Sequence, residues 1–438
     1  MKVIKVAKFG GTSLADANQF KKVYDIIKHD TLIKYVIASA PGSINNKNNK
    51  ITDLLYLCYE NKKNNTSYKE IFAQISEIFN NIVDTLKIDI KIQNELEQIL
   101  LELQDGCSKD YFVSRGEYLN SIILSKYLDF KYIDAKDIIF FDDNGVLDAN
   151  KTNTQICNAL KGIENVVVPG FYGSMFNGRI KTFTRGGSDI TGAIVAKAVN
   201  ADVYENWTDV SGFLMADPRI IKKPKKIEVI TYRELRELAY MGATVLHDEA
   251  VFPARQSNIP INIRNTNFPL DCGTLIVDQI NDKEDPKIIT GIAGKKEYTI
   301  FSICKENMAA SVGIIKRALE VFEARKIIIE HVPTGIDKFS VVVASKNVNQ
   351  IENQISDELK LRCKAENIEV SNNIALIASV GRHIKNKSSI FKRLFGALEK
   401  ENIDIKLISQ GLSEINVIIG VDNKNFEKSI TAIYNEFV

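Results

Sequence analysis

The feature of the sequence that most constrains the fold is an internal repeat in the C-terminal third of the chain. Residues 298–345 and 374–421 align at an offset of 76 without a gap. Each copy predicts a strand, a helix, a strand, a glycine turn and a strand, with a further helix to follow. A duplicated pattern of this kind predicts a small α/β sandwich that is used twice. The offset pairs Ile315 with Phe391, Leu319 with Phe395, Phe322 with Leu398, Ile327 with Ile403, and Gly335 with Gly411.

Before this repeat, short β-branched stretches alternate with helical ones. Residues 51–103 have a helical, strongly charged pattern that predicts a solvated helical layer, and residues 191–199 predict another helix. Such alternation predicts a mostly parallel sheet that is covered on both faces. A charged stretch at 281–287, NDKEDPK, marks a boundary before the repeat. The short strands are expected at 132–134, 165–169 and 201–205.

The N-terminal strand leads into a pair of glycines. Residues 3–8 read VIKVAK, a β-branched run, and two glycines separate this run from a helical pattern. Thr12 or Ser13 is expected to cap that helix, whose first amides would attract an anion such as phosphate. Lys8, at the carboxyl end of the strand, would add a positive charge at the same place. The loop is not a Walker A motif, and an ordinary βα turn with a surface lysine would give the same pattern.

A second loop with suggestive chemistry reads TRGGSD at residues 184–189. Arg185 offers a planar fork that suits a carboxylate or a phosphate, and Asp189 offers a charge for an ammonium group. Ser188 is expected to cap the helix that follows. A cation and an anion four residues apart would suit a zwitterionic amino acid, and a capped turn with a solvated ion pair is the alternative.

Further polar loops follow the other expected strands. Ligand sites in parallel sheets gather at the carboxyl ends of the strands, and the loops at 39–42, 169–173 and 208–209 are expected there. Glu117 is expected in the first turn of a helix, where the helix dipole favours a carboxylate whether or not it binds a ligand.

Composition and charge exclude several classes of function. The chain has 438 residues, of which 45% are hydrophobic and 26% charged, as in ordinary globular proteins of two to four domains. Its net charge of +2 gives no electrostatic argument for nucleic acid or membrane partners. Six scattered cysteines and four distant histidines predict neither a disulfide framework nor a His-rich metal site. The N-terminus carries no signal-peptide pattern and no apolar run is long enough to span a membrane, so a cytoplasmic protein is expected.

Taken together, these loops show that the chain resembles the aspartokinases of the amino-acid kinase family. The resemblance covers nearly the whole length. It implies an amino-acid kinase catalytic domain at residues 1–285, with a mostly parallel sheet sandwiched by helices. It also implies two ferredoxin-like ACT domains, one at 296–370 and one formed by 286–295 with 371–438. The resemblance rests on the repeat and on four motifs, KFGGTS at 8–13, SRGE at 114–117, TRGGSD at 184–189 and WTDVSG at 207–212.

Aspartokinases transfer the γ-phosphoryl group of ATP to the β-carboxylate of aspartate, for the synthesis of lysine, threonine and methionine. The resemblance implies that Lys8 bridges the attacking carboxylate and the phosphoryl group, that Asp189 and Glu117 face the substrate ammonium, and that Arg185 clamps its α-carboxylate. Mg²⁺ would be held largely by phosphates and water, with no dedicated protein ligand. The implied catalytic residues are Lys8 and Asp189. The implied substrate contacts are Ser39, Thr52, Glu117, Phe171, Arg185 and Ser188. The implied ATP contacts are Lys8, Gly10, Gly11, Thr12, Thr208, Asp209, Leu214, Arg219 and Thr244.

The sequence departs from the family pattern at two positions near the nucleotide. Leu214 stands where many members have an aromatic residue, and Thr244 stands where many have a lysine. The two losses together are expected to weaken ATP binding by about 1–3 kcal/mol, and neither touches the transfer centre.

The ACT domains imply regulation by an amino acid. By resemblance, Met308, Ser311 and Glu330 are the expected effector contacts, and the carboxylate at 330 favours lysine as the effector. The second copy has Lys406 at the matching position, so the copies are not expected to bind the same ligand equally. ACT domains typically pair edge to edge, so a homodimer or a dimer of dimers is expected.

Other interpretations of the same sequence remain open at this point. Another member of the amino-acid kinase family, such as a glutamate or uridylate kinase, is disfavoured by the TRGGSD and SRGE motifs and the double ACT tail. A catalytically silent amino-acid sensor is suggested by Leu214 and Thr244. The presence of the charged residues expected at the transfer site argues against a protein without catalytic activity. These residues are Lys8, Glu117, Arg185 and Asp189.

Overall fold

The computed structural model describes residues 3–43, 50–184, 186–243, 248–280, 288–384, 389–410 and 415–438. The chain forms two compact units. The first consists of Met1–Phe213, Lys226–Tyr232 and Val245–Ile280, and the second of Leu214–Lys225, Arg233–Thr244 and Asn281–Val438.

The first unit is built on an eight-stranded sheet and a small three-stranded one. Its strands are β1 (Lys5–Phe9), β2 (Ile33–Ala38), β3 (Lys131–Tyr132), β4 (Phe140–Phe141), β5 (Val166–Pro169), β6 (Tyr172–Met175), β7 (Ile180–Thr182), β8 (Val203–Thr208), β9 (Val229–Thr231), β10 (Ile261–Asn265) and β11 (Thr274–Val277). Its helices are α1 (Ala17–His29), α2 (Ile51–Lys63), α3 (Lys69–Leu86), α4 (Ile92–Gln104), α5 (Lys109–Val113), α6 (Arg115–Leu128), α7 (Ala149–Leu160), α8 (Gly187–Ala198), α9 (Tyr232–Tyr240) and α10 (Asp248–Gln256). Helix α9 starts at Tyr232, the last residue of the segment Lys226–Tyr232, and its other residues belong to the second unit.

The large sheet has the strand order β3-β5-β2-β1-β8-β10-β11-β9, and every pair except β10 with β11 is parallel. The central strands are almost entirely buried, because helices cover the sheet and leave no face for polar residues. The expected mostly parallel, helix-flanked α/β sheet is therefore confirmed.

The helical segment at 51–103 is more than a solvated layer. Helices α2, α3 and α4 each turn apolar side chains inward, and these pack with α1 and α6 into one core. Phe72, Phe79 and Leu96 are among its buried members, and the charged residues lie on the opposite helix faces.

The second unit contains one six-stranded sheet with the order β13-β14-β12-β15-β17-β16. The first copy of the repeat holds β12 (Gly291–Cys304), α11 (Ile314–Glu323), β13 (Ile329–His331), β14 (Lys338–Ala344) and α12 (Glu352–Cys363). The second copy holds β15 (Asn367–Val380), α13 (Ser389–Lys400), β16 (Leu407–Ser409), β17 (Asn416–Asp422) and α14 (Phe426–Phe437). Both copies thus have the helices and strands that the repeat predicts, including the final helix. Gly411, in the predicted glycine turn of the second copy, lies outside the described residues. Each copy has its own apolar core on the helix side of the sheet.

Strand β12 runs through both halves of this sheet. Its first residues, Gly291 to Lys295, pair with Leu376 to Val380 of β15, and its later residues pair with both β14 and the start of β15. The stretch before the first copy is therefore hydrogen-bonded to the second.

Two helix starts differ from the expected ones. Asp16 caps α1 by accepting a hydrogen bond from the Gln19 amide, and a short 3₁₀ turn at Gly11–Leu14, which starts at the second glycine of the pair, precedes the helix. The cap position of α8 is Gly186, in a left-handed conformation, and Ser188 lies inside the helix. The caps predicted at Thr12 or Ser13 and at Ser188 are therefore wrong. Helix α1 begins later than expected because the 3₁₀ turn precedes it, whereas α8 begins earlier than expected, at Gly187. None of the helices among the described residues has the length and apolar character needed to cross a bilayer.

Candidate active site

A cavity of about 510 Å³ lies at the carboxyl ends of the central strands of the large sheet. Strands β1, β2, β5 and β8 run parallel there, so the loops that follow them open at one edge. The lining includes most of the site residues expected in this unit. These are Lys8, Gly10, Gly11, Thr12, Ser39, Thr52, Glu117, Phe171, Ser188, Asp189, Thr208 and Asp209.

Lys8 places a positive charge at the floor of this cavity. It is the fourth residue of β1 and is only 8% exposed. Its Nζ lies 2.6 Å from Oδ1 of Asp189, in the first turn of α8. An ammonium group in so restricted a space interacts with anions more strongly than it would in bulk water, because less solvent screens its charge.

Two glycine loops meet backbone to backbone beside Lys8. The Gly42 amide donates to the Gly11 carbonyl at 2.8 Å, and a Cβ on Gly42 would lie 2.6 Å from the Gly11 carbonyl carbon. The Gly10 amide donates to the Trp207 carbonyl and is not available to a ligand. Gly11 and Thr12 are the first two residues of the 3₁₀ turn. The first amides of a helical turn have no carbonyl acceptor within that turn. These two amides are therefore the better candidates for phosphate.

Glu117 brings a buried carboxyl group to the lining of the same cavity. It lies in the first turn of α6, as expected, and is 5% exposed. Burial raises the pKa of this carboxyl to about 8, although nearby amides and the charges of Arg115 and Lys8 act in the other direction. Its Oε2 has no hydrogen-bond partner among the described residues. A buried acceptor of this kind is costly unless a donor arrives, as a substrate ammonium group would.

The start of α6 is held rigid by Arg115. Its guanidinium carbon lies 4.4 Å from the ring centres of both Tyr111 and Tyr118. Its Nη2 also donates to Oγ of Ser114 at 2.9 Å. These contacts fix the first turn of the helix and hence the position of Glu117.

The loop after β5 packs tightly against α8. A Cβ on Gly170 would lie 2.6 Å from Cβ of Ser188, so only glycine allows this approach. Phe171 has a φ of 79° and its amide donates to Oγ1 of Thr191 at 3.2 Å. The hydroxyl of Ser188 is in this way kept at the cavity wall.

The lining also contains Lys50 and Tyr56, which no motif singled out, and Thr184, which begins the TRGGSD motif but was not among the expected contacts. Tyr56 follows Thr52 by four residues on α2, so helical periodicity alone would place both on one face. That signal was present in the sequence. Ser39 is fixed through its backbone, since its carbonyl accepts from Nδ2 of Asn120 at 2.6 Å.

Of the expected active-site residues that the structure describes, Leu214 and Arg219 are not among the cavity lining. Arg185 and Thr244 lie outside the described residues. Leu214 and Arg219 belong to the second unit. Arg219 is exposed and forms a close ion pair with Asp217, with Nη2 2.6 Å from Oδ2.

The three expected effector residues all lie in the first copy of the repeat. Met308 is buried in the apolar core of that copy, and Ser311 follows a short 3₁₀ turn. Glu330 is half-buried on β13, and its Oε2 accepts a hydrogen bond of 2.6 Å from the hydroxyl of Tyr240. Tyr240 is the last residue of α9, and this part of the helix belongs to the same unit.

Comparisons with known proteins agree on one family. The model of the amino acid kinase family matches residues 3–265, and an ACT domain model matches residues 377–437. Aspartokinase 3 of Bacillus subtilis (strain 168) is 33% identical over 451 residues, which cover 99% of this chain and 98% of that protein. The crystal structure of Clostridium acetobutylicum aspartate kinase is 48% identical with a TM-score of 0.91, and the match covers 99% of both chains.

E. coli aspartokinase III is a more distant relative for which two states are known. Its complex with aspartate and ADP, the R-state, is 26% identical with a TM-score of 0.73. Its complex with lysine and aspartate, the T-state, is 26% identical with a TM-score of 0.76. Both matches cover 99% of either chain.

The family model spans more than half of the chain, and the relatives align with it from end to end. The motifs that suggested the resemblance also converge, since residues from all four line the same cavity. The chain therefore belongs to the amino acid kinase family, and within that family it is an aspartate kinase.

Proposed function

We propose that this kinase transfers the γ-phosphoryl group of ATP to the β-carboxylate of L-aspartate, giving 4-phospho-L-aspartate. This is the first step in the synthesis of lysine, threonine and methionine. The observation that carries the proposal is the ion pair of the buried Lys8 with Asp189, beside the Gly11 and Thr12 amides and the buried Glu117 carboxyl in one cavity. The aspartate and ADP in the complex of E. coli aspartokinase III support the choice of substrates.

The proposed mechanism has no covalent enzyme intermediate, because the attacking carboxylate is already an anion. The ammonium of Lys8 sits between the carboxylate and the γ-phosphoryl group and offsets their repulsion as they approach. The amides of Gly11 and Thr12 hold the phosphates by hydrogen bonds that need no reorganisation. Positioning and charge stabilisation together account for the catalysis.

The amino-acid end of the substrate is held by groups of opposite charge. Glu117 and Asp189 take the ammonium, and Arg185 takes the α-carboxylate as a bidentate partner. Ser39, Thr52 and Ser188 donate further hydrogen bonds, and Phe171 covers the apolar side. In this arrangement the β-carboxylate points towards Lys8.

The nucleotide is proposed to contact Thr208 and Asp209, with Leu214, Arg219 and Thr244 as further contacts. Mg²⁺ suits this site, because the ion binds substrate phosphates and water with one or two carboxylates, and Asp209 lines the cavity. When bound, the ion would neutralise charge on the β- and γ-phosphates.

A coupled assay with aspartate and MgATP tests the proposal directly. We expect ADP release that depends on aspartate and accumulation of an acyl phosphate that hydroxylamine traps. Glutamate in place of aspartate serves as the control, since its longer side chain would misplace the carboxylate. Binding of aspartate without any turnover would contradict the proposal and would indicate a sensor.

The buried Glu117 predicts a pH-dependent affinity for aspartate. The substrate ammonium needs the ionised carboxylate, and below a pKa of about 8 most Glu117 is protonated in the free enzyme. The KM for aspartate is therefore expected to fall as pH rises, by about tenfold between pH 6.5 and 8.0, and then to level off. Steady-state kinetics at saturating MgATP measure this profile.

Glu117→Gln is the matched variant for the pH profile. Its KM for aspartate should be high and independent of pH across the same range. A wild-type KM that stays flat from pH 6.5 to 8.0 would contradict the role given to Glu117.

We also propose that residues 1–285 form the catalytic domain, and that 296–370 and 286–295 with 371–438 form two ACT domains that mediate a homodimer or a dimer of dimers. Lysine is proposed to inhibit the enzyme by binding at Met308, Ser311 and Glu330. The lysine-bound T-state of E. coli aspartokinase III supports this choice of effector.

The hydrogen bond from Tyr240 to Glu330 predicts how two substitutions change lysine inhibition. The Tyr240 hydroxyl donates to the Glu330 carboxylate, which the lysine ammonium is proposed to bind, so the two donors compete. Tyr240→Phe is therefore expected to lower the half-inhibitory lysine concentration by about threefold to tenfold. Glu330→Gln should raise it at least about tenfold.

Titration of the coupled assay with lysine measures both effects. Glu369→Gln is the control, because this carboxylate pairs with Lys338 elsewhere in the same sheet. If wild-type turnover ignores millimolar lysine, alone or with threonine, the feedback proposal fails while the catalytic one stands.

A further inference from the structure

The catalytic lysine is not the only group that holds Asp189. Asn206, on β8, donates from Nδ2 to Oδ1 of Asp189 at 2.9 Å, and this is the same oxygen that lies 2.6 Å from Nζ of Lys8. Asn206 is 4% exposed and lies behind the cavity. It directly precedes the WTDVSG motif at residues 207–212 and is not part of it.

The register of the sheet explains why these three groups meet. Strands β1 and β8 are parallel neighbours, and Lys8 is directly paired with Asn206. Side chains at paired positions project from the same face, here towards α8. On its other side, β8 is paired with β10, and the residue opposite Asn206 there is the apolar Ile263.

A second contact from the same strand fixes the backbone of Asp189. Tyr204 lies two residues before Asn206, hence on the same face, and its hydroxyl donates to the Asp189 carbonyl at 3.2 Å. A Cβ on Gly192 would lie 2.5 Å from this hydroxyl, so helix and strand are in close contact. Strand β8 therefore holds both the main chain and the side chain of Asp189.

We infer that Asn206 is a positioning residue for phosphoryl transfer, which acts by holding the Asp189 carboxylate in place independently of Lys8. Without this amide, the carboxylate would be free to follow the ammonium when Lys8 moves towards the transferring group. With the amide in place, one lone pair of Oδ1 is already used, so the carboxylate competes less strongly with the phosphoryl oxygens for the ammonium. The inference rests on the proposed role of Lys8.

Two substitutions at position 206 test this role. Asn206→Leu removes the donor at similar volume, and we expect kcat to fall by about 10- to 100-fold while the KM values for aspartate and ATP change little. Asn206→Asp keeps the shape and replaces the donor by an acceptor beside Asp189. It should lower kcat further at pH 8, since the added carboxylate would also bind Lys8.

The pH profile of Asn206→Asp gives a readout that loss of structure would not. The new carboxyl would face Asp189, Lys8 and the Tyr204 hydroxyl, and a neighbouring carboxylate together with burial raises the pKa of such a group. Once protonated, it again donates to Asp189. Its kcat at saturating substrates is therefore expected to recover as pH falls from 8 to 6, whereas that of the wild type is not.

Asn416→Leu is the matched control. Like Asn206, Asn416 is a buried asparagine on a strand, and it donates a hydrogen bond to the carboxylate of Glu237 in the second unit. Its kcat without effector should stay near that of the wild type. A kcat of Asn206→Leu within about threefold of the wild type would overturn the inference. A pH profile of kcat for Asn206→Asp that parallels that of the wild type would also overturn it. This second test can be made even if the leucine variant does not fold. Failure of the wild-type coupled assay would instead reject the proposed function itself.

Discussion

Replacement of Lys8 by methionine is expected to lower kcat by about 10³-fold. Methionine retains most of the apolar stem of lysine and removes the charge that the two reacting anions share. The Asp189 carboxylate would then keep only the Asn206 amide as a side-chain partner among the described contacts. The coupled assay at saturating aspartate and MgATP measures the loss.

Lys5→Met is the matched control on the same strand. Lys5 also pairs with carboxylates, at 2.6 Å from Asp30 and 3.1 Å from Glu205, but it lies outside the cavity. Its loss should lower the thermal unfolding midpoint and leave kcat roughly unchanged. Should Lys8→Met retain more than about a tenth of wild-type kcat, the proposed transfer mechanism would be untenable.

Replacement of Gly42 by alanine is expected to lower kcat/KM for ATP by about 100-fold or more. The added methyl group would lie 2.6 Å from the carbonyl carbon of Gly11 and 2.7 Å from the nitrogen of Thr12. Both are backbone atoms of the loop that is proposed to bind phosphate. They cannot turn away as a side chain can, so the loop itself must shift.

Gly396→Ala serves as the control for this substitution. Gly396 lies within α13, and a Cβ there would meet no atom within 4 Å. Alanine should stabilise that helix by about 0.5–1 kcal/mol without an effect on catalysis. If Gly42→Ala binds ATP and turns over like the wild type, the close approach of the two loops has no role in phosphate binding.

Much of the fold can be predicted from the sequence because its signals are local. The β-branched runs, their alternation with amphipathic helices and the repeat at an offset of 76 each report on neighbouring residues, and the parallel sheet and both βαββα copies follow. The cavity residues are predictable for the same reason. Parallel strands carry their C-terminal loops to one edge, so Lys8, Ser39 and Thr208 had to converge.

Two features of the structure could not be predicted from the sequence, because they depend on contacts between residues that are distant in the chain. Asn206 becomes significant only through its register with Lys8, and a register shift of one residue would turn it to the other face. The segment Leu214–Lys225 joins the second unit because Ala216 and Ile221 pack with the core of the second repeat. No periodicity in a stretch of a dozen residues reveals that choice of partner.

The length of β12 has a consequence for how the second unit loses its structure. A single continuous strand supplies hydrogen bonds to both copies, so neither copy can open without breaking the ladder of the other. Separating them would expose a row of unsatisfied backbone donors and acceptors, a surface prone to aggregation. The two repeats should therefore melt as one cooperative block rather than as two independent modules.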